Sequence, residues 1–409
     1  MAITILQEPQ KFTPAYNEQW FVASTTNQAQ ANFKFVVDIV FLGDVTYTRR
    51  IKRNIYPGST NKLVIDVHRI IENYLTDDID LNLDEVKKNG NSWKGYIIRI
   101  GEEYGTTPTV YPNLAQSNII LAWNAAIGFE QFATYSSGTC LLGSSGSIFL
   151  TNSPSEQNVS IDEKGWLYMI QDPNGQTFSQ AEVKTYNGNT LVQTVLINNP
   201  YNAVSSSGDC FLRMPAAPAS LNLISGGSLN AGSQPIVDSN ITSYTIRTLD
   251  TGIPNNGSSV TKTYNIVSNC SDHTKYRLHF LNRLGGFDSF SFIKGSQITD
   301  QINKANYKKP KGELTGNSFG YSISDRLKTQ YQTEVKTTYQ INSDWLTDAE
   351  SEWLRELLSS PIIFWEKDNN LIAINITDVN YIAKKGLTDM TFNLVVNFET
   401  SYTNQMQRY

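Results

Sequence analysis

The sequence contains few of the residues that coordinate metals, form disulfides or act as general bases. Its 409 residues include three histidines and three cysteines, and Cys140, Cys210 and Cys270 are widely spaced without a CxxC pair. This cysteine pattern argues against both a zinc site and a disulfide framework. We therefore expect no metal, no cofactor and no disulfide.

Known catalytic motifs are absent as well. The sequence has no GxSxG, GxxxxGK[ST], HExxH or EF-hand pattern. His68 lies beside Arg69 in a short predicted helix, while His273 and His279 lack a third ligand at metal spacing, so we interpret all three as structural. The acidic run Asp77–Glu85 lacks the glycine of a calcium loop, and the carboxylate pair of a glycosidase cannot be identified from sequence. These absences favour a protein without catalytic residues that is not an enzyme.

Long apolar runs and an excess of one charge are also missing. No stretch reaches the roughly 18 apolar residues of a membrane helix, and the first ten residues do not resemble an export signal. We expect no membrane insertion and synthesis in a reducing cytoplasm. Charged residues make up 17% of the chain and the net charge is −5, which argues against sequence-specific or general nucleic-acid binding.

Two local basic runs stand out against this charge balance. They comprise Arg49, Arg50, Lys52 and Arg53 in one segment, and Lys304, Lys308, Lys309 and Lys311 in a proline-containing segment that we expect to be a loop. For each run we favour a solvated face over contact with an acidic partner or with DNA.

Aromatic and small polar residues are abundant and follow a period of two. Aromatics make up 11% of the chain, and alternating segments such as Phe33–Phe41 and Tyr331–Ile341 predict half-buried strands. The fold class is therefore mainly β, with two or three antiparallel β-sandwich-like domains. One short helix is expected near 66–75, with Asp66 as its cap, and one capped helix near 347–359, where Thr347 and Glu350 match a capping box.

Changes in composition along the chain predict its division into domains. We expect an N-terminal β domain at 1–111 and a connecting segment at 112–160, with a short helix within residues 117–132 that carries Ile120, Trp123 and Ile127. A second β domain follows at 161–238, in which Asn187-Gly188 predicts a tight hairpin between two strands. This domain ends in a Ser/Gly/Pro-rich linker over 198–238. A C-terminal β domain with a helix occupies 239–409.

The segment Tyr276–Phe292, YRLHFLNRLGGFDSFSF, predicts two short strands that meet at a bend. Tyr276, Leu278 and Phe280 recur at every second residue, and Gly285 and Gly286 can adopt backbone angles closed to other residues. The apolar positions of this segment and of the later helix predict structural core. These core candidates are Phe280, Phe287, Phe290, Phe292, Trp353 and Leu357.

The run LNRLGGFD and the alternating aromatics after it resemble tail structural proteins of bacteriophages that infect Bacteroidota. Three further segments resemble the same family: residues 3–41, residues 63–75 and residues 343–363. The resemblance implies a structural component of the virion tail: a ring, hub, adaptor or distal-tail (baseplate) protein, assembled in the bacterial host cytoplasm. It also implies partners, namely identical copies in an oligomeric ring and neighbouring tail proteins, and it implies no catalytic residues.

Two other functional classes compete with this interpretation. A glycan-binding or adhesive β-sandwich, free or on the virion, would use exposed aromatic rings to stack on sugars, for example those of a host surface glycan. Trp93 and Trp365 are the candidates for such contacts, because polar or charged residues flank them. A secreted β-rich hydrolase is disfavoured by the scarcity of histidine and the lack of an export signal.

Overall fold

The computed structural model describes residues 3–44, 46, 48–76, 79–142, 148–172, 177–202, 207–250, 259–267, 273–378, 393–402 and 404–405. Strands dominate this part of the chain and helices are few and short, so the predicted mainly β class is confirmed. Asp77 and Asp78 of the acidic run, and Cys270, lie outside the described residues.

The first fifteen strands are β1 (Ile3–Gln7), β2 (Phe12–Pro14), β3 (Trp20–Thr25), β4 (Lys34–Phe41), β5 (Arg49–Arg53), β6 (Lys62–Asp66), β7 (Lys87–Lys88), β8 (Trp93–Tyr104), β9 (Thr109–Gln116), β10 (Ile120–Trp123), β11 (Leu141–Leu142), β12 (Glu156–Val159), β13 (Trp166–Gln171), β14 (Phe178–Asn187) and β15 (Thr190–Asn198). The remaining strands are β16 (Phe211–Pro215), β17 (Leu229–Ala231), β18 (Ser243–Asp250), β19 (Lys262–Ile266), β20 (Tyr276–Leu281), β21 (Phe287–Phe292), β22 (Gln297–Lys308), β23 (Glu313–Thr315), β24 (Ser318–Gly320), β25 (Lys328–Asn342), β26 (Ile363–Lys367), β27 (Asn370–Ile376), β28 (Val395–Thr400) and β29 (Asn404–Gln405). The helices are α1 (His68–Ile71), α2 (Phe129–Ala133), α3 (Pro218–Leu221) and α4 (Asp348–Ser359).

The chain divides into two units. The first comprises Met1–Ser268 together with Leu281–Asp288, and the second comprises Asn269–Phe280 together with Ser289–Tyr409. The division near 268 differs from the boundary at 238 expected from composition. The reason is that β18 pairs with β14, so that Ile246 lies opposite Val183 within the first unit.

The amino-terminal part of the first unit is a β-sandwich. One sheet has the order β1-β3-β6, and the other has the order β2-β10-β8-β4-β5 with β9 also paired to β8. Apolar residues at every second position of β3, β4 and β8, such as Phe21, Val37 and Ile98, are fully buried in one shared core. Ile120–Trp123 is strand β10 rather than the expected helix, and it belongs to this sandwich.

The predicted short helix is confirmed in this part. It runs from His68 to Ile71 and continues as a 3-10 turn over Glu72–Tyr74. The N-cap is Val67 and not the predicted Asp66, which lies one residue earlier at the end of β6. The Asp66 carboxylate accepts a hydrogen bond from the backbone N–H of His68 at 3.1 Å and lies 2.6 Å from the ring Nδ1 of that histidine. His68 is therefore held in a local structural contact.

A second sandwich follows in the same unit. Its sheets have the orders β11-β13-β16-β7 and β12-β19-β18-β14-β15-β17. The predicted hairpin at Asn187-Gly188 joins β14 to β15, with Gly188 at a φ of +57°. The buried residues between the two sheets, including Met169, Val183 and Tyr244, form the core of this sandwich.

The expected linker over 198–238 is contradicted wherever the structure describes it. Its residues form β16 in the middle of one sheet, α3, and β17 at the edge of the other sheet. Leu221, Ile224, Ile236 and Val237 are fully buried. Small and polar residues are frequent here, but these apolar side chains bury enough surface to hold the segment in the core.

The second unit contains one large sheet with the order β21-β20-β26-β27-β28-β25-β22, to which β29 adds by pairing with β25. Helix α4 packs on the core of this sheet. Its capping box is confirmed: the Glu350 N–H donates to Thr347 Oγ1 at 3.3 Å, and the Thr347 N–H donates to Glu350 Oε2 at 2.8 Å.

The residues predicted to form core in Tyr276–Phe292 and in α4 are buried or half-buried. β20 and β21 are the two expected strands, separated by the turn that contains Gly285 and Gly286. Five of the six core candidates are buried, and the sixth, Phe290, is half-buried and packs edge-on against Trp353, with ring centroids 6.0 Å apart. The five buried residues are Phe280, Phe287, Phe292, Trp353 and Leu357.

Candidate assembly surface

A long β-hairpin, residues 297–342, extends the sheet of the second unit, and we call it the arm. Its two long strands β22 and β25 pair antiparallel from Gln297–Gln340 to Lys308–Lys328. Near its tip, β23 and β24 form a short second hairpin. Within the described residues, β22 pairs with no strand other than β25, so its outer edge is free.

Local sequence explains why β25 is a strand. Thr, Tyr and Val, which favour pleated backbone, occupy alternate positions from Tyr331 to Tyr339. The sequence of β22, QITDQINKANYK, shows no such alternation, and its strand conformation follows from pairing with β25. Lys304 and Lys308, predicted to lie in a loop, therefore lie on a strand.

An apolar stripe runs from the core of the second unit onto one face of the arm. Ile341 is fully buried, and the ring of Tyr339 stacks on Phe398 with centroids 5.0 Å apart. Farther out, Ile302 lies directly opposite Val335 on the same face, and its side chain is 54% exposed. The stripe thus continues beyond the point where the rest of the unit covers it.

Exposed apolar side chains are concentrated on the arm. In the described part of the chain 25 large hydrophobic residues are exposed, and nine of them lie within residues 298–331. Single exposed apolar residues are common on protein surfaces, whereas a concentration of this kind marks an interaction site. The nine are Ile298, Ile302, Tyr307, Leu314, Phe319, Tyr321, Ile323, Leu327 and Tyr331.

The outer arm is also basic. Residues 304–328 contain six Lys or Arg and two acidic residues, a net charge of +4, which leaves −9 for the rest of a chain whose total is −5. Lys309 Nζ lies 5.9 Å from the ring centroid of Tyr307, and Lys311 Nζ lies 5.4 Å from that of Tyr321. Aromatic rings and cations are thus interleaved on the outer arm.

The two tryptophans predicted to contact glycans both pack against other aromatic rings. Trp365 is only 5% exposed and packs 5.3 Å from the ring of Tyr276 in the core, which contradicts its assignment as a surface contact. Trp93 is half-buried and stacks on Phe211, with centroids 5.3 Å apart and ring planes 10° apart. Trp20 and Trp345 are exposed instead, the latter at 67%.

A buried polar chain in the second unit was missed by sequence analysis. Ser289 Oγ lies 2.7 Å from His279 Nδ1, and His279 Nε2 lies 3.0 Å from Glu366 Oε2. This connectivity resembles a serine–histidine–acid triad, but His279 is 0% exposed on a regular strand. Substrate cannot reach a histidine that is buried in this way. The three hydrogen-bonded side chains therefore stabilise the sheet by satisfying one another's polar atoms.

Two buried titratable groups in the first unit are also structural. Lys262 Nζ donates to the carbonyl of Ser153 at 2.7 Å and to that of Pro154 at 3.1 Å, and burial lowers its pKa to about 8 although Asp288 opposes the shift. Burial raises the pKa of the Cys210 thiol to about 12, so this thiol is unreactive near neutral pH.

Across the described residues no three His, Cys, Asp or Glu side chains come together as metal ligands. Nor is any helix there long and apolar enough to cross a membrane.

No protein-family model matches the chain, and no curated protein matches its sequence.

Proposed function

We propose that this chain is a structural component of a bacteriophage tail that assembles with copies of itself into a ring and contacts neighbouring tail proteins. The proposal rests on the family resemblance of four segments and on the arm. Ring, hub, adaptor and distal-tail positions all fit this role.

The arm is the observation that carries the proposal. Over most of its length the arm is a ribbon of two strands, β22 and β25, and successive residues of β22, which point to opposite faces, are exposed. Such a ribbon is only marginally stable in water by itself. A protein that keeps a long ribbon with nine exposed large hydrophobic residues gains from it when another surface covers those residues.

Localisation in phage particles tests this proposal. Gold-labelled antibodies raised against the arm and against the first unit are applied to intact and to detergent-opened particles of a phage that carries this gene. We expect label from the second antibody at one fixed level of the tail. Particles that lack the chain, or label scattered over capsid and background, would contradict the proposal.

A glycan-binding role remains a second proposal because Trp345 presents an exposed ring beside the start of α4. Aromatic faces of this kind can stack on sugar rings. Binding of the purified chain to a panel of host surface glycans should fall at least tenfold in Trp345→Ala and stay unchanged in Trp93→Ala. Equal binding by both variants and the original chain would contradict a role for Trp345.

A further inference from the structure

The free edge of β22 and the uncovered stripe beside it indicate what the arm contacts. We propose that the arm of one copy docks on an acidic surface of a second copy of this chain, in a head-to-tail contact. This inference rests on the proposed self-assembly and names the element that makes the contact.

Charge identifies the second copy as the occupant. The outer arm carries +4, and everything else in the same chain carries −9. The body of a neighbouring copy therefore attracts the arm at neutral pH, and such complementarity steers and orients association. None of Lys304, Lys308, Lys309, Lys311 and Lys328 forms an ion pair with another described residue, so each ammonium group is available to a partner.

Charge also disfavours direct contact between two arms. Two arms cannot pair with each other favourably, because each presents the same concentration of lysines. The surface that receives the arm is consequently a different part of the neighbour. Two copies that exchange arms would form a closed two-fold dimer, whereas arms passed head to tail from copy to copy form a heterologous contact, which is the form that a ring requires. Heterologous contacts generate closed rings when the rotation between neighbours closes, and this agrees with the ring of the proposed function.

The arm is large enough for such a contact. Twelve residues of β22 at about 3.3 Å each give a length of about 40 Å, and two strands about 4.8 Å apart give a ribbon about 10 Å wide. The two faces together therefore present about 800 Å², close to the area that each partner contributes to a stable interface of standard size. The unpaired backbone edge of β22 adds donors and acceptors for strand addition.

Charge reversal on the arm is the test. The triple variant Lys308→Glu, Lys309→Glu and Lys311→Glu is compared with the original full-length chain by sedimentation velocity over a range of concentrations. A matched control carries Lys34→Glu, Arg53→Glu and Lys62→Glu, three exposed positions in the first unit with the same change in net charge. Circular dichroism establishes that all three proteins are folded.

We expect the arm variant to require at least tenfold higher concentration for half-association, and the control to change by less than threefold. Equal weakening in both variants would assign the effect to net charge and overturn the inference. Unchanged association of the arm variant would overturn it as well. Arm-dependent binding of a 30-base-pair DNA duplex without any effect on association would identify nucleic acid as the occupant and also refute it.

A shortened arm makes the test independent of charge. Lys304 and Thr333 lie directly opposite each other, so residues 305–332 can be replaced by Asn-Gly, which closes a two-residue hairpin. This variant keeps the receiving surface, and an equimolar mixture with the original chain should give smaller, capped oligomers. If the original chain is itself monomeric at every concentration, the proposed self-assembly fails. If it assembles and the shortened variant assembles equally well, only the arm inference fails.

Discussion

Trp353 offers the sharpest test of how the second unit is held together. Its indole on α4 is 5% exposed and packs 5.9 Å from the ring of Phe280 and 6.0 Å from that of Phe290. A tryptophan side chain buries on the order of 200 Å², which at about 25 cal/mol per Å² corresponds to about 5 kcal/mol. Measured losses for burial-site truncations of this size, about 3 to 5 kcal/mol, agree with that figure.

We therefore expect Trp353→Ala to lower the free energy of unfolding of the second unit by about 3 to 5 kcal/mol. Guanidinium unfolding followed by far-ultraviolet circular dichroism measures this loss without depending on tryptophan emission. Trp345→Ala is the matched control, because its indole is 67% exposed and eight residues away on the same segment, and it should change stability by less than about 0.5 kcal/mol. A loss below about 1 kcal/mol at Trp353, or equal losses at both positions, would show that this indole does not stabilise the core of the second unit.

Three further predictions concern single interactions. Thr347→Ala removes the cap of α4 and should cost about 1 kcal/mol in denaturant unfolding, with Thr347→Ser nearly neutral; equal losses in both would contradict the capping role. Gly285→Ala should lower the free energy of unfolding by more than about 2 kcal/mol, because Gly285 has a φ of +86° and an added Cβ would lie 2.5 Å from the carbonyl oxygen of Asn124. An unchanged melting temperature would be inconsistent with this turn. Burial lowers the pKa of Lys262 to about 8 from its ordinary 10.5, so the unfolded chain binds more protons than the folded chain between these two pH values. The free energy of unfolding, measured relative to that of Lys262→Met, should therefore rise from pH 8 to pH 10. A constant difference in unfolding free energy between the two proteins over this range would count against the shift.

Sequence patterns predict those turns, caps and strands whose conformation is set by residues close together in the sequence. The capping box of α4, the hairpin at Asn187-Gly188 and the alternation from Tyr276 to Phe280 depend on neighbouring residues, and all three are confirmed. Burial in the core could likewise be predicted from period alone at Phe292.

Elements that depend on distant partners could not be predicted in this way. β22 is a strand because β25 pairs with it, and its own residues favour strand weakly. The region 198–238 was interpreted as a linker from its small polar residues, although a few apolar side chains bind it to the second sandwich. Charged neighbours suggested that Trp365 is exposed, whereas its ring lies on the opposite, buried face of β26.

The arm itself was only partly predictable. Alternation predicts a half-buried strand over Tyr331–Ile341, and the sequence shows the lysines as a local basic run. Their position on a two-stranded ribbon, with exposed apolar residues between them, depends on strand pairing over about 30 residues of chain. The candidate surface therefore emerges from topology, and no motif encodes it.

The solution mass of the 409-residue chain decides whether it assembles with copies of itself. Light scattering over a range of concentrations, followed by electron microscopy of the same sample, should give a discrete multiple of the 45.9 kDa chain mass and closed rings of one size. A strict monomer at every concentration, with no rings in the images, would contradict a self-assembling structural component.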